Sequence, residues 1–164
     1  MSAAEDSGAA PDGPRPRPAA AAGFDISEPA GAADMAACFA IRRAVFCIEQ
    51  GVAEDHEIDG RDPECRHYLL RLGGSAVGTA RVRPVEPGIS KIERVAVLAP
   101  HRGGGLGSAL MRRVLRDLDD AGCATALLHA QAHSETFYRA LGFATEGAPF
   151  DEAGIPHVRM VRRA

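Results

Sequence analysis

Residues Arg102 to Gly107 read Arg-Gly-Gly-Gly-Leu-Gly and join a β-like run, Lys91 to Leu98, to an amphipathic helical pattern that continues to Ala121. A chain with that junction must place a strand, a tight turn and a helix N-terminus in one short stretch. Glycines without Cβ atoms turn the backbone sharply and let consecutive N–H groups aim at one anion. The following helix adds its unsatisfied first-turn amides and the positive end of its dipole. A glycine-rich turn is also a plain connector, so the loop alone leaves a pyrophosphate cradle and a structural turn both open. The flanking strand and helix favour the cradle. Two other phosphate loops are excluded. A dinucleotide fingerprint starting at Gly103 needs a sixth-position glycine and meets Ser108, and the chain has no Gly-Lys-Ser/Thr. What remains is Arg-x-x-Gly-x-Gly.

The helix after the loop, Gly105 to Ala121, carries Leu106, Leu110, Met111, Val114, Leu115 and Leu118 at helical spacing, and Gly122 stops it. Upstream, Phe24 to Ser27 reads as a short strand. Ala32 to Phe46 reads as a helix in which Met35, Phe39, Arg42 and Phe46 share one side, Arg42 interrupting the apolar stripe. His67 to Leu72 and Ala76 to Val82 form a hairpin pattern around Gly73-Gly74. Downstream, Thr125 to Ala130 is a short apolar strand, Ser134 is placed to N-cap a helix through Leu141, and Gly142 ends it. Further strands begin at Phe143 and at His157. The order is β, α, three strands, α, β, α and two terminal strands, a mixed α/β domain.

The 164 residues, 46% of them hydrophobic, suffice for one domain with one core. Residues 1–23 are Ala, Gly, Pro and a few charges, which cannot repay the entropy of ordering, so they are expected to be a disordered arm. Glu5, Asp6 and the missing apolar region fit neither a secretory signal nor a transit peptide, and no window approaches a membrane span. A net charge of −3 and an isoelectric point near 6.1 argue against a nucleic-acid partner. Cys38, Cys47, Cys65 and Cys123 show no Cys-x-x-Cys spacing and read as reduced thiols, which points to the cytoplasm.

The strand residues Val95-Ala96-Val97 followed by the glycine hexapeptide resemble the acetyl-CoA-binding motif of the GCN5-related N-acetyltransferase (GNAT) superfamily. Phe137-Tyr138-Arg139-Ala140-Leu141-Gly142-Phe143 resembles a second motif of that family, in the expected order. A narrower, ElaA- or YjcF-like branch is resembled through Arg43-Ala44-Val45-Phe46 with Glu49-Gln50-Gly51, then Glu57-Ile58-Asp59, His129-Ala130-Gln131 and Glu152 to His157. The resemblance spans about residues 24 to 162. It implies the acyl-CoA N-acyltransferase fold, a central mixed twisted sheet flanked by helices, in a single domain over residues 24–164. It also implies transfer of an acetyl group from acetyl-CoA, as acyl donor and without a metal, directly to a primary amine of a small-molecule or peptide acceptor. By that resemblance the cofactor is held by Val95, Ala96, Val97, Arg102, Gly103, Gly104, Gly105, Leu106, Gly107 and Ser108. A non-catalytic acyl-CoA-binding module on the same fold is the alternative, because a fold does not guarantee turnover.

Acyl transfer needs a neutral amine, a held thioester carbonyl and a proton for the departing thiolate. Tyr138, one of two tyrosines, is the candidate acid, since a phenol can protonate a thiolate; its other reading is a core aromatic. Glu93 is the first candidate base, because strict strand alternation puts it on the side of Val95 and Val97. The same carboxylate is equally a structural partner for an arginine. His129 is the second candidate base. Glu49, Glu57 and Asp59 are candidates for a cationic acceptor, and His157 for the acceptor pocket wall. His129 and His133 are four apart but on a strand running into a turn, which does not make a zinc pair.

Overall fold

The computed structural model of the chain describes residues 3–4 and 23–164. Most of the N-terminal arm therefore lies outside the described residues. Ala3–Ala4, expected to be unstructured, form a two-residue strand, β1, parallel to the later strand that carries Val95 and Ala96. The remaining strands are β2 (Phe24–Ser27), β3 (Arg66–Leu72), β4 (Ser75–Glu86), β5 (Ile89–Val97), β6 (Thr125–Gln131), β7 (Ala144–Thr145), β8 (Phe150–Glu152) and β9 (Ile155–Arg163). The sheet order is β2-β3-β4-β5-β6-β9-β7, with β8 added to β9 as a hairpin. All pairs are antiparallel except β5 with β6 and β1 with β5, so the sheet is mixed, as the sequence predicts.

Helices cover both faces. On one side α3 (Leu106–Asp120) and α4 (Glu135–Arg139) bury Leu110, Met111, Val114 and Tyr138 against Ala80, Val82, Ile92, Val95 and Leu128. On the other side α1 (Ala32–Arg42) packs Cys38 and Ile41, with Val45 and Phe46 beyond its end, against Leu69 and Ala96. The inward stripe is thus Cys38, Ile41, Arg42, Val45 and Phe46; Met35 and Phe39 are only half-buried. That stripe keeps the i, i+3, i+4, i+7, i+8 spacing of a helix and runs on into a π-helical stretch over Arg43–Glu49, with Met35 and Phe39 at its margin. A short α2 (Glu54–Glu57) follows.

The Gly73-Gly74 turn has positive φ at both central residues, as a two-residue hairpin requires. Ser134 does stand at the start of α4, yet its hydroxyl makes no cap bond and is buried without a hydrogen-bond partner. A tighter helical turn over Ala132–Ser134 runs straight into α4, which puts Ser134 at φ −97°, ψ 1° instead of the extended geometry a capping side chain needs.

Two departures from a regular sheet shape the molecule. First, β5 and β6 pair only at Ile89, Ser90 and Lys91 with Thr125, Ala126 and Leu127, and then diverge. Second, β5 contains an extra residue relative to β4: Arg81 faces Glu93 and Thr79 faces Ala96, so two steps on β4 match three on β5. Arg94 supplies that residue at φ +56°, a left-handed conformation that costs a non-glycine residue on the order of 1–3 kcal/mol. Its buried guanidinium is tied to the carbonyls of His56 and Glu57 and to the Glu57 and Asp59 carboxylates, which hold the bulge in place.

Candidate active site

The wedge between β5 and β6 leaves β5 unpaired by β6 beyond Lys91; β4 pairs one edge of this stretch, at Ala96 and Val97, and among the described residues β1 meets it at Val95 and Ala96. The glycine loop lies at the end of that open strand. Gly103 and Gly105 adopt φ of 83° and 85°, and Gly105 starts α3 with no side chain capping it, so the first-turn amides of a 15-residue helix face outward. A Cβ on Gly107 would meet Phe137 at 3.6 Å and Val97 at 3.9 Å. The first turn of α3, the end of β5 and α4 are therefore in contact. Leu106 is core, packed with Leu70 and Val77, and fixes the helix start.

Arg102 does not point at the loop's anion position. Its Nε donates to the Val97 carbonyl at 2.8 Å, and its two terminal nitrogens form a bidentate pair with Glu49 at 2.5 and 2.9 Å. Glu49, expected at the acceptor, instead clamps the loop to the end of the π-helical stretch. Gln50 continues this link through reciprocal amide bonds to buried Gln131 at the end of β6.

Tyr138 is fully buried, edge-on to Phe137 at 5.0 Å and to Phe143 at 5.9 Å between ring centres, in the same cluster as Val95. Glu93 is not on the side of Val95 and Val97. The bulge at Arg94 reverses the alternation: Ile92 and Val95 join the core under α3, whereas Glu93, Arg81 and Ala96 face the α1 side. There Glu93 is bonded by Arg81 at 2.9 Å, Arg83 at 3.2 Å and Lys91 at 3.2 Å. Burial opposes its ionisation, but the hydrogen bond from Arg83 and the charges of Arg81 and Lys91 hold its carboxyl below the usual range. It is a poor proton acceptor at neutral pH. Glu57 and Asp59 are likewise committed to arginines: Glu57 to Arg42 and Arg94, Asp59 to Arg81 and Arg94.

A second titratable group forms where β6, β8 and β9 meet. His129, partly exposed, approaches Glu152 through Nδ1 at 3.4 Å, and its ring stands edge-on to Phe150 at 4.9 Å. His157, fully buried, donates from Nδ1–H to the Ile155 carbonyl at 2.6 Å and turns Nε2 toward Glu152 at 3.6 Å. Burial pushes the His157 ring below its ordinary value, so it is neutral at pH 7. It stacks on Phe150 at 6.0 Å between ring centres and is not among the residues that line the cavity beside Glu152. Burial also opposes ionisation of Glu152, but His129 among its neighbours holds that carboxyl well below the usual range. Glu152 also lines an open cavity of about 460 Å³, shared with Asp55, Arg83, Lys91 and Glu93.

Residues 41–164 match the family model described as an acetyltransferase (GNAT) domain. The chain belongs to the GNAT acetyltransferase family. Among relatives of this GNAT chain is the uncharacterised N-acetyltransferase YjcF of Bacillus subtilis, 34% identical over 125 residues, which cover 76% of the chain and 89% of YjcF. Among solved structures, Escherichia coli ElaA superposes with a TM-score of 0.76 at 28% identity, covering 86% of this chain and 99% of ElaA. A GNAT family acetyltransferase from Elizabethkingia anophelis, solved with acetyl-CoA bound, shares the fold at a TM-score of 0.67 and 16% identity, over 86% of this chain and 98% of its own. The ElaA- and YjcF-like branch and the GNAT fold are thus established, and the family supports acyl-CoA-dependent N-acetyltransferase activity in general.

Glu152 enters the reading along the chain only as part of the Glu152 to His157 segment, with no chemical role. Its partner His129 is 23 positions away, and only the β8–β9 hairpin, turning at Ala153 and Gly154 with φ of 51° and 74°, brings them together. Among the described residues no cluster of three or more His, Cys, Asp or Glu side chains is arranged to hold a metal ion, and no helix is long and apolar enough to cross a membrane.

Proposed function

We propose that the protein transfers an acetyl group from acetyl-CoA directly to a primary amine. The observation that carries this reading is the wedge between β5 and β6, which leaves the backbone of Val95 to Val97 beside an uncapped helix N-terminus. That backbone takes the pantetheine arm and the thioester oxygen, and the loop amides from Gly103 to Ser108 take the pyrophosphate. Tyr138, close to Val95, is the acid that protonates the departing thiolate. His129 is the base: Nδ1 directed at Glu152 leaves Nε2 to accept the amine proton, and the Glu152 carboxylate orients the ring. Direct transfer is supported by the cysteines. Cys38, Cys47 and Cys65 are all pushed above the usual thiol range by burial, the opposite of what a nucleophilic thiol needs.

The test is CoA-thiol release from acetyl-CoA over a panel of amines. Wild type is expected to turn over at least one amine, and Tyr138→Phe and His129→Gln to lose roughly 10²–10⁴-fold in kcat with the thermal midpoint retained. Tight acetyl-CoA binding with no amine-dependent thiol release would instead favour a non-catalytic acyl-CoA-binding module.

A further inference from the structure

The open cavity beside Glu93 is lined by four cations, Arg61, Arg83, Lys91 and Arg94, and four carboxylates, Asp55, Asp59, Glu93 and Glu152, but the cations are unevenly satisfied. Arg83 on β4 and Lys91 on β5 are direct cross-strand neighbours, an arrangement of like charges that is unfavourable unless an anion lies between them. One does: the Glu93 Oε1 atom, 3.2 Å from each. Its other oxygen is taken by Arg81. Arg81 in turn binds Asp59 and Asp62, Arg42 binds Glu57 and Asp62, and Arg94 binds Glu57 and Asp59. Among the described residues this connected network contains five cations, Arg42, Arg81, Arg83, Lys91 and Arg94, and four carboxylates. Every guanidinium but one has two or more carboxylate partners. The exception, Arg83, touches a single carboxylate oxygen, and its Nε is buried with no hydrogen-bond partner.

The least satisfied cations are therefore at the Arg83–Lys91 edge of the cavity, where Arg61 also reaches the wall. A buried donor without an acceptor costs about 1–3 kcal/mol, more when charged, and a ligand oxygen placed there removes that cost. The same cavity is lined by Glu152, the partner of His129. A cavity of about 460 Å³ is in the range of small-molecule sites.

We propose that the acceptor amine bears an anionic group, a carboxylate or a phosphate, which seats against Arg83 and Lys91 on the cavity side of the Glu93 oxygen they share, while the amine points toward Glu152. This rests on the acetyltransferase reading and narrows its substrate class to amino acids and similar amino-acid-like zwitterions or aminoalkyl phosphates. It is opposite to what the acidic residues of the sequence suggest, because Glu49, Glu57 and Asp59 are all spent on arginines.

The experiment compares four acceptors of similar length with the full chain and saturating acetyl-CoA: 4-aminobutyrate, 3-aminopropyl phosphate, butylamine and 1,4-diaminobutane. The readout is kcat/KM from thiol release, in wild type, Arg83→Gln and Lys91→Gln. At least one anionic amine is expected to exceed butylamine by about tenfold or more, and each variant to reduce that ratio to within about threefold. Which of the two anionic amines leads tells carboxylate from phosphate. Butylamine or the diamine matching or exceeding both anionic amines overturns the inference while leaving the acetyltransferase reading intact. If no amine of any class releases thiol, that reading fails, and the anion seat is decided by thermal shift. A rise in midpoint with 4-aminobutyrate or 3-aminopropyl phosphate that butylamine does not give, and that Lys91→Gln abolishes, upholds the seat; no such rise overturns it. Lys91, at the cavity mouth with one partner, keeps the test available should Arg83→Gln fail to fold.

Discussion

Replacing Glu93 by Gln separates a catalytic carboxylate from a structural one. Gln keeps the shape but removes the charge that three cations share at 2.9–3.2 Å, and its amide presents hydrogens to one of them. The Glu93 side chain is 6% exposed and that of Arg81 1%, so solvent does little to screen the loss. Breaking a buried pair by deleting one partner costs about 3–5 kcal/mol. At about 2–4 °C per kcal/mol for a chain of this size, the thermal midpoint should fall by roughly 10 °C at pH 7. The pH dependence follows from the direction of the shift. The folded carboxyl titrates below its unfolded value of 4.5, so its contribution is fully present above that pH and is lost as pH falls through the folded value. The difference between wild type and variant should therefore be constant from about pH 7 to 5 and shrink below 4.5. Catalysis on the folded variant should keep its pH profile, with kcat changed by less than about tenfold. Scanning calorimetry across pH, with thiol release at 25 °C, makes the measurement. An unshifted midpoint together with a hundredfold loss of kcat would refute the reasoning and return Glu93 to the role of base.

Arg102→Ala removes the bond to the Val97 carbonyl and the Glu49 clamp together, and should raise KM for acetyl-CoA about tenfold with little change in kcat, read from saturation kinetics. Deleting residues 1–22 frees the β5 groups that β1 occupies at Val95 and Ala96, the same groups assigned to the pantetheine arm. KM for acetyl-CoA should fall, and an unchanged or higher value would show that β1 does not compete there. His157→Asn should flatten the stability–pH curve below about 6.5. In wild type the folded ring titrates below its unfolded value, so protons bind the unfolded chain first and stability declines as pH drops through that interval; urea midpoints on either side of it give the slope.

The Arg102–Gly107 junction, the apolar face of α3, the Gly73-Gly74 hairpin and the element order could be read along the chain because each is a local rule: glycine conformations, a 3.6-residue period, a two-residue turn. The same residues supplied the family resemblance. Local rules also explain the failures. Alternation placed Glu93 beside Val95 until one extra residue at Arg94 reversed the face, and a bulge has no signature in a stretch reading Lys-Ile-Glu-Arg-Val. Glu49, Glu57 and Asp59 appear acidic and free in the chain. Their arginine partners come from elements 15 to 53 positions away, so their charge is cancelled only in three dimensions. The pairing of His129 with Glu152 depends on two antiparallel contacts, β6 with β9 and β8 with β9, and neither strand alone encodes it. The sequence by itself determined the fold, the family and the glycine-rich turn before α3, because those follow from backbone geometry and burial pattern over neighbouring residues. Tertiary structure alone decided which carboxylates are spent on structure, which cations are left with a single partner and how His129 meets Glu152, because electrostatics depends on distances between residues remote in the chain.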